Sequence, residues 1–117
     1  MKKLNKIMLA LSILPTLLTS VFLFFMNDTV PMHYNASGAV DRYGSKYENF
    51  ILPAIILFMY AFYMVYTKIY TKYSTNSVEK INNNVKITAI LVTSIIAAFN
   101  ILQLMFLILA ILKPDST

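Results

Sequence analysis

Three uncharged apolar runs constrain this chain more than anything else in it. Ile7–Met26, Phe50–Thr67 and Ile87–Leu112 contain no Asp, Glu, Lys or Arg. A helix needs about 20 such residues to cross the hydrocarbon core of a bilayer. A soluble domain of 117 residues buries too little of its surface to hide a chain that is 58% hydrophobic. The sequence therefore predicts an all-α membrane protein with three transmembrane helices. It forms one domain over 1–117, with spans at about 7–26, 50–67 and 87–112 and polar connections at 27–49 and 68–86. The first run follows Lys2, Lys3 and Lys6, is long for a secretory signal, and meets no small-x-small cleavage site, so it reads as an uncleaved signal anchor. Pro53 falls in the first turn of the second span, where a missing N–H costs least. Tyr66, Tyr70 and Tyr73 at its far end match an interfacial aromatic belt. The third run is longer than the hydrocarbon requires and should tilt or project. The second connection is expected to be partly helical around Ser77 to Lys86.

The net charge of +5 does not point to nucleic acid. The lysines flank apolar runs and form no stripe of their own. Lys2, Lys3, Lys6, Lys68, Lys72, Lys80 and Lys86 fall on one side of the three spans, and Arg42, Lys46 and Lys113 on the other. The positive-inside bias predicts a cytoplasmic N-terminus, an external C-terminus and an outward-facing 27–49 segment, with membrane lipid as a partner. The chain has no cysteine, which excludes disulfides and thiolate chemistry.

Helices in lipid must be held by packing and polar contacts. Ser12, Thr16 and Ser20 recur every four residues on the first span, and Ala89, Thr93 and Ala97 on the third, which predicts two small-residue packing stripes. Asn100 and Gln103 are three apart and share a helix face. Facing lipid they would go unpaired, so both are expected to face another helix, as interhelical ties or as a polar spot on a ligand path. No ionisable group lies inside a span, which argues against proton-coupled transport. Without an intramembrane histidine, haem ligation is also disfavoured. The methionine and aromatic side chains of span two read as packing and lipid contact, and no cofactor is expected.

The polar segment holds the only histidine, the only arginine and both glycines. Residues from Val30 to Ser37 alternate, which predicts extended backbone with His33 and Asn35 projecting together. Ser37-Gly38 signals a turn that could return Asp41 towards them. Four uses of a His33–Asp41 pair stay open: tying the loop to the helix ends, recognising an external peptide or lipid headgroup, binding metal, or catalysis. One histidine is a poor zinc set, and the pair lacks an evident nucleophile, so no metal and no catalytic residue is assigned. Asn35-Ala36-Ser37 also matches the glycosylation sequon, which matters only in a eukaryotic secretory pathway.

The stretch Val30-Pro31-Met32-His33-Tyr34-Asn35-Ala36-Ser37-Gly38-Ala39-Val40-Asp41-Arg42-Tyr43-Gly44-Ser45-Lys46 closely resembles the pattern P-x-H-[aromatic]-N-x-x-G-x-x-D-x-x-x-x-K of the membrane domain DUF1648. That domain also opens the SdpI-like immunity proteins. Leu14-Pro15 and Leu52-Pro53 are similar to it too, and the resemblance runs from about Leu4 to Tyr66. It implies a multi-pass protein of a bacterial plasma membrane that protects its producer from a secreted peptide toxin and captures a cytoplasmic autorepressor. Pro31, His33, Asn35, Gly38, Asp41 and Lys46 occupy the motif positions, flanked by Tyr34 and Arg42. SdpI-like proteins continue with further spans, so this chain is expected to pair with itself or with another membrane subunit. The expectation is an immunity or sensing module, not an enzyme, for a secreted peptide or envelope ligand. A structural accessory subunit is the alternative, and a lipid-headgroup enzyme with His33 as base is the remaining reading.

Overall fold

The computed structural model describes residues 2–112, so Lys113 lies outside the described residues. Helix α1 (Lys2–Phe22) is prolonged by a 3-10 turn, Leu23–Phe25. Strands β1 (Thr29–Tyr34) and β2 (Val40–Ser45) follow as an antiparallel hairpin. A second 3-10 turn, Lys46–Phe50, leads into α2 (Ile51–Tyr73), and α3 (Val78–Leu112) completes the bundle. The chain is a mostly helical membrane protein whose three helices are each long and apolar enough to span a bilayer. The expected all-α class is corrected at one point: the polar segment is a β-hairpin. Its alternating residues put Val30 in a buried cluster with Met26, Leu107 and Ala110, which seats the hairpin on the ends of α1 and α3.

The helices outrun the apolar runs. Residues 68–73 continue α2 and 78–86 open α3, so only residues 74–77 connect them instead of the whole 68–86 segment. Local chemistry explains both ends. The Ser74 N–H closes α2 on the Tyr70 carbonyl at 2.9 Å. The Ser77 hydroxyl accepts from the Lys80 N–H at 3.2 Å, an N-cap that satisfies an orphan donor, with Glu79 in the favourable first turn. At 35 residues, α3 is about 52 Å long and projects well beyond a core of about 30 Å.

The seams differ from the predicted stripes. On α1 the buried residues are Met8, Ser12, Pro15 and Thr19. Thr16 is half-buried, and Ser20 is exposed and returns its hydroxyl to the Thr16 carbonyl at 2.8 Å. Four residues turn a helix by about 400°, so an i+4 row drifts off the seam within two steps. On α3, Ala89 is buried but Thr93 and Ala97 are only half-buried. The seam there runs Ala89, Ile96, Gln103, Ala110, a seven-residue repeat typical of left-handed helix packing. Met8, Ile56, Tyr63, Ala89 and Ile96 form the central core. The outward faces are apolar, with Leu17, Phe58, Phe62, Leu91 and Ile101 among many exposed side chains, as lipid contact requires.

Two prolines explain the placement of Asn100 and Gln103. Pro15 has no N–H to return to the Leu11 carbonyl one turn earlier. Asn100 Nδ2 donates to that carbonyl at 2.9 Å, and to the Ile96 carbonyl of its own helix at 2.8 Å. Pro53 likewise returns nothing to the Asn49 carbonyl, and Gln103 Nε2 donates there at 2.8 Å. The same nitrogen donates to Thr19 Oγ1 at 2.9 Å, so one amide joins α1, α3 and the turn before α2. In a medium without water, each carbonyl left by a proline needs such a donor, and α3 supplies both.

Candidate functional site: the hairpin cap

The hairpin is built around Asn35. Its side-chain oxygen accepts from the Ser37 N–H at 3.0 Å, the Ser37 hydroxyl at 2.7 Å and the Ala39 N–H at 3.0 Å. Its backbone N–H donates to the Ala39 carbonyl at 2.9 Å, and its carbonyl accepts from the Gly38 N–H at 3.0 Å. Gly38 has φ +84°, a left-handed conformation that a Cβ would strain. Asn35 and Gly38 are thus spent on shaping the turn. Asn35→Ala is expected to raise amide exchange at Ser37 and Ala39 by roughly tenfold, a loss of about 1.4 kcal/mol of local stability, while exchange in the helix seams stays unchanged.

His33 and Asp41 are brought together by two irregularities of register. Pro31 pairs with Tyr43 and His33 with Arg42, so Met32 is an extra residue on β1. Tyr34 then pairs with Val40, leaving Asp41 extra on β2. Bulges of this kind re-aim side chains. Here His33 Nδ1 lies 2.6 Å from Asp41 Oδ1, with the two side chains 67% and 43% exposed. His33 therefore pairs with Asp41, as the turn at Ser37-Gly38 allows, while the Asn35 side-chain oxygen is engaged by Ser37 and Ala39. With Nδ1 engaged by the carboxylate, the ring's other nitrogen is the one left to meet a ligand.

The remaining motif residues anchor the cap. Pro31 is buried. Arg42 places both terminal nitrogens 3.2 Å from Glu48 Oε1. Lys46 donates its N–H to the Asp28 carbonyl at 2.9 Å and holds its ammonium 3.6 Å from the Asp28 carboxylate, over the Tyr47 ring. Tyr34 is half-buried with its hydroxyl unpartnered, and burial, then neighbouring Tyr43, push its phenol above the ordinary value. Gly44 allows the hairpin to close on the turn before α2: a Cβ there would sit 2.8 Å from the Glu48 carboxyl carbon and 2.9 Å from Met32 Cγ. A cleft of about 250 Å³ is lined by Met32, Arg42, Glu48, Leu52, Gln103 and Phe106 among others.

Glu48, Asn49 and Thr19 join this end of the molecule without having been singled out in the sequence. Asn49 is buried, and its Nδ2 donates to the Lys46 carbonyl at 2.9 Å and touches Met26 Sδ at 3.6 Å. A charged residue and an amide directly before an apolar run were the available signal. Ser12, by contrast, bonds the Met8 carbonyl of its own helix at 2.7 Å. Thr16 and Thr93 keep buried hydroxyls without partners. Among the described residues, no cluster of three or more His, Cys, Asp or Glu gathers as a metal site.

Residues 10–57 match the family model of DUF1648, a domain of unknown function. This segment is a DUF1648 domain. It takes in most of α1, the whole hairpin and the first turns of α2. Helix α3 lies outside the DUF1648 match, yet it donates to the carbonyls that the domain's two prolines leave free. An uncharacterized protein of Archaeoglobus fulgidus is similar, 42% identical over 67 residues, which is 57% of this chain and 35% of that protein. The alignment thus spans about a third of the relative. No solved structure matches the chain.

Proposed function

We propose that this protein is an immunity or sensing module of a bacterial plasma membrane, in which the hairpin cap recognises a secreted peptide or another envelope ligand. The observation that carries the reading is the division of labour in the cap. Asn35, Gly38, Gly44, Pro31 and Lys46 build it, while the His33–Asp41 pair stays exposed on its surface. A rigid support holding an exposed polar pair is what a recognition surface needs.

The cap faces the outside in this reading. Seven lysines gather at the end opposite the hairpin, from Lys2 through Lys86, against Glu79 alone. That imbalance supports an N-terminus in the cytoplasm and the 74–77 connection beside it. A soluble repressor would dock there, on the projecting first turns of α3. Resemblance to the opening domain of SdpI-like proteins supports the same direction of signalling.

The test is protection. In a sensitive host challenged with the secreted peptide fraction of the producing strain, His33→Ala and Asp41→Asn are expected to lower survival at least tenfold with unchanged membrane levels. Equal sensitivity of hosts with and without the intact chain would remove the immunity reading. The spending of most motif residues on internal bonds favours one alternative, an accessory subunit whose cap only braces the helices. In that case both variants would instead deplete the protein from the membrane. Because the chain has no native cysteine, Ser37→Cys gives a clean topology probe. Labelling by an impermeant maleimide in intact cells is expected, and labelling only after lysis would invert the orientation.

A further inference from the structure

A groove far from the cap runs along the seam between α2 and α3. Phe58, Phe62, Tyr66 and Tyr70 are spaced one helical turn apart on α2, and their rings stack in sequence with centroids 6.5, 6.3 and 6.1 Å apart. The first three of these rings form one wall of a cavity of about 490 Å³, and Thr88 and Val92 of α3 form the other. A second space of about 250 Å³ shares Tyr66 and Thr88 with the first and continues it to Tyr70 and Asn84. The groove changes character along its length. Its inner end at Phe58 is wholly apolar and lies near the middle of α2. Its outer end is polar, where the Tyr70 hydroxyl accepts from Asn84 Nδ2 at 2.7 Å and from Asn76 Nδ2 at 3.1 Å.

The length and the charge identify an occupant. Twelve residues of helix from Phe58 to Tyr70 rise about 18 Å, close to one leaflet of a core of about 30 Å. The mouth carries one nearby cation. Lys80 lies four residues before Asn84 on the same face of α3, with Glu79 the one carboxylate among the described residues at this end; Lys68 and Lys72 lie on the other side of α2, where they line a separate space with Asn5 and Thr67. Phe58 and Phe62 are 69% and 64% exposed, so the wall is open to the bilayer from the side. We infer that this groove is a binding site for an anionic glycerophospholipid. One acyl chain lies along the aromatic wall, and the phosphate-bearing headgroup rests at the Tyr70–Asn84 mouth beside Lys80. This site is independent of what the hairpin cap recognises.

The absence of tryptophan from the chain makes the test direct. Phe62→Trp places a sole reporter in the groove. Ile90→Trp places a control at the same height of α3 but on its opposite, lipid-facing side. The full-length chain is reconstituted into vesicles containing a fixed fraction of brominated phosphatidylglycerol in phosphatidylcholine, or of brominated phosphatidylcholine in phosphatidylglycerol. Bromine quenching of the Phe62→Trp reporter is expected to be at least twofold stronger from the anionic lipid. The Ile90→Trp control is expected to be quenched equally by both. Adding Lys80→Gln to the Phe62→Trp chain is expected to abolish the preference, and adding Lys72→Gln, on the other side of α2, is expected to leave it. Equal quenching of the groove reporter by the two lipids would overturn the proposal. So would protection from both, the result expected if a second copy of the chain covered the groove.

Discussion

Gln103→Leu is expected to lower the unfolding stability of the reconstituted chain by about 2 kcal/mol, measured as a shift of its unfolding midpoint in SDS mixed micelles. Gln103 is buried, and so are Thr19 and Asn49, the residues it joins. Its Nε2 makes both bonds, to Thr19 Oγ1 at 2.9 Å and to the Asn49 carbonyl at 2.8 Å. Leucine fills similar space but leaves both acceptors dry. Interhelical hydrogen bonds within membranes average about 0.6 kcal/mol, with larger values near 1.7 kcal/mol. Two bonds lost together, with a carbonyl that Pro53 cannot serve, place this change at the upper end. Thr19→Val added to Gln103→Leu should cost nothing further, because its partner is already gone. Ile101→Ala, on the exposed face, is the control and should stay within about 0.5 kcal/mol. A Gln103→Leu effect no larger than that control would mean the amide does not hold the bundle.

The second large effect is conditional on a proline. Asn100→Leu should cost about 1–2 kcal/mol in the native chain, because the Leu11 carbonyl loses the donor that replaces the missing Pro15 N–H. In a Pro15→Ala background, the alanine N–H can reach Leu11 itself and restore the i to i−4 bond. The cost of Asn100→Leu should then fall by at least half, and the difference is the coupling energy of the pair. An equal cost in both backgrounds would show that Asn100 acts by packing or through its second bond, to Ile96. The two residues are 85 positions apart in the chain, so coupling between them reports the α1–α3 contact alone.

These two amides show how far the sequence could be read. That Asn100 and Gln103 share a face and should avoid lipid follows from their spacing and chemistry. Which carbonyls they meet depends on the relative heights of three helices, and no local pattern encodes that. The turn at Ser37-Gly38 and the extended Val30–Ser37 segment were legible because period-two alternation and a turn dipeptide are local signals. The His33–Asp41 pair follows from the same turn, but the bulges at Met32 and Asp41 were not legible, since no local pattern marks them. The small-residue stripes hold in part, with Ser12 and Ala89 buried, but an i+4 row drifts, so Ser20 leaves the interface while Thr19 enters it. The helix expected around Ser77 to Lys86 is the start of α3; the extension of α2 to Tyr73 was not legible, because hydropathy marks where lipid begins, whereas caps and propensity mark where a helix stops.

By itself, the sequence determined the solvent and the count of spans. Uninterrupted apolar length admits only backbone that satisfies itself, and without water that means helices here. The tertiary structure alone decided the use of the polar residues within the spans. The clearest cases depend on a partner distant in the chain: α3 amides on proline-freed carbonyls, and an aromatic row made into a groove by the helix packed beside it.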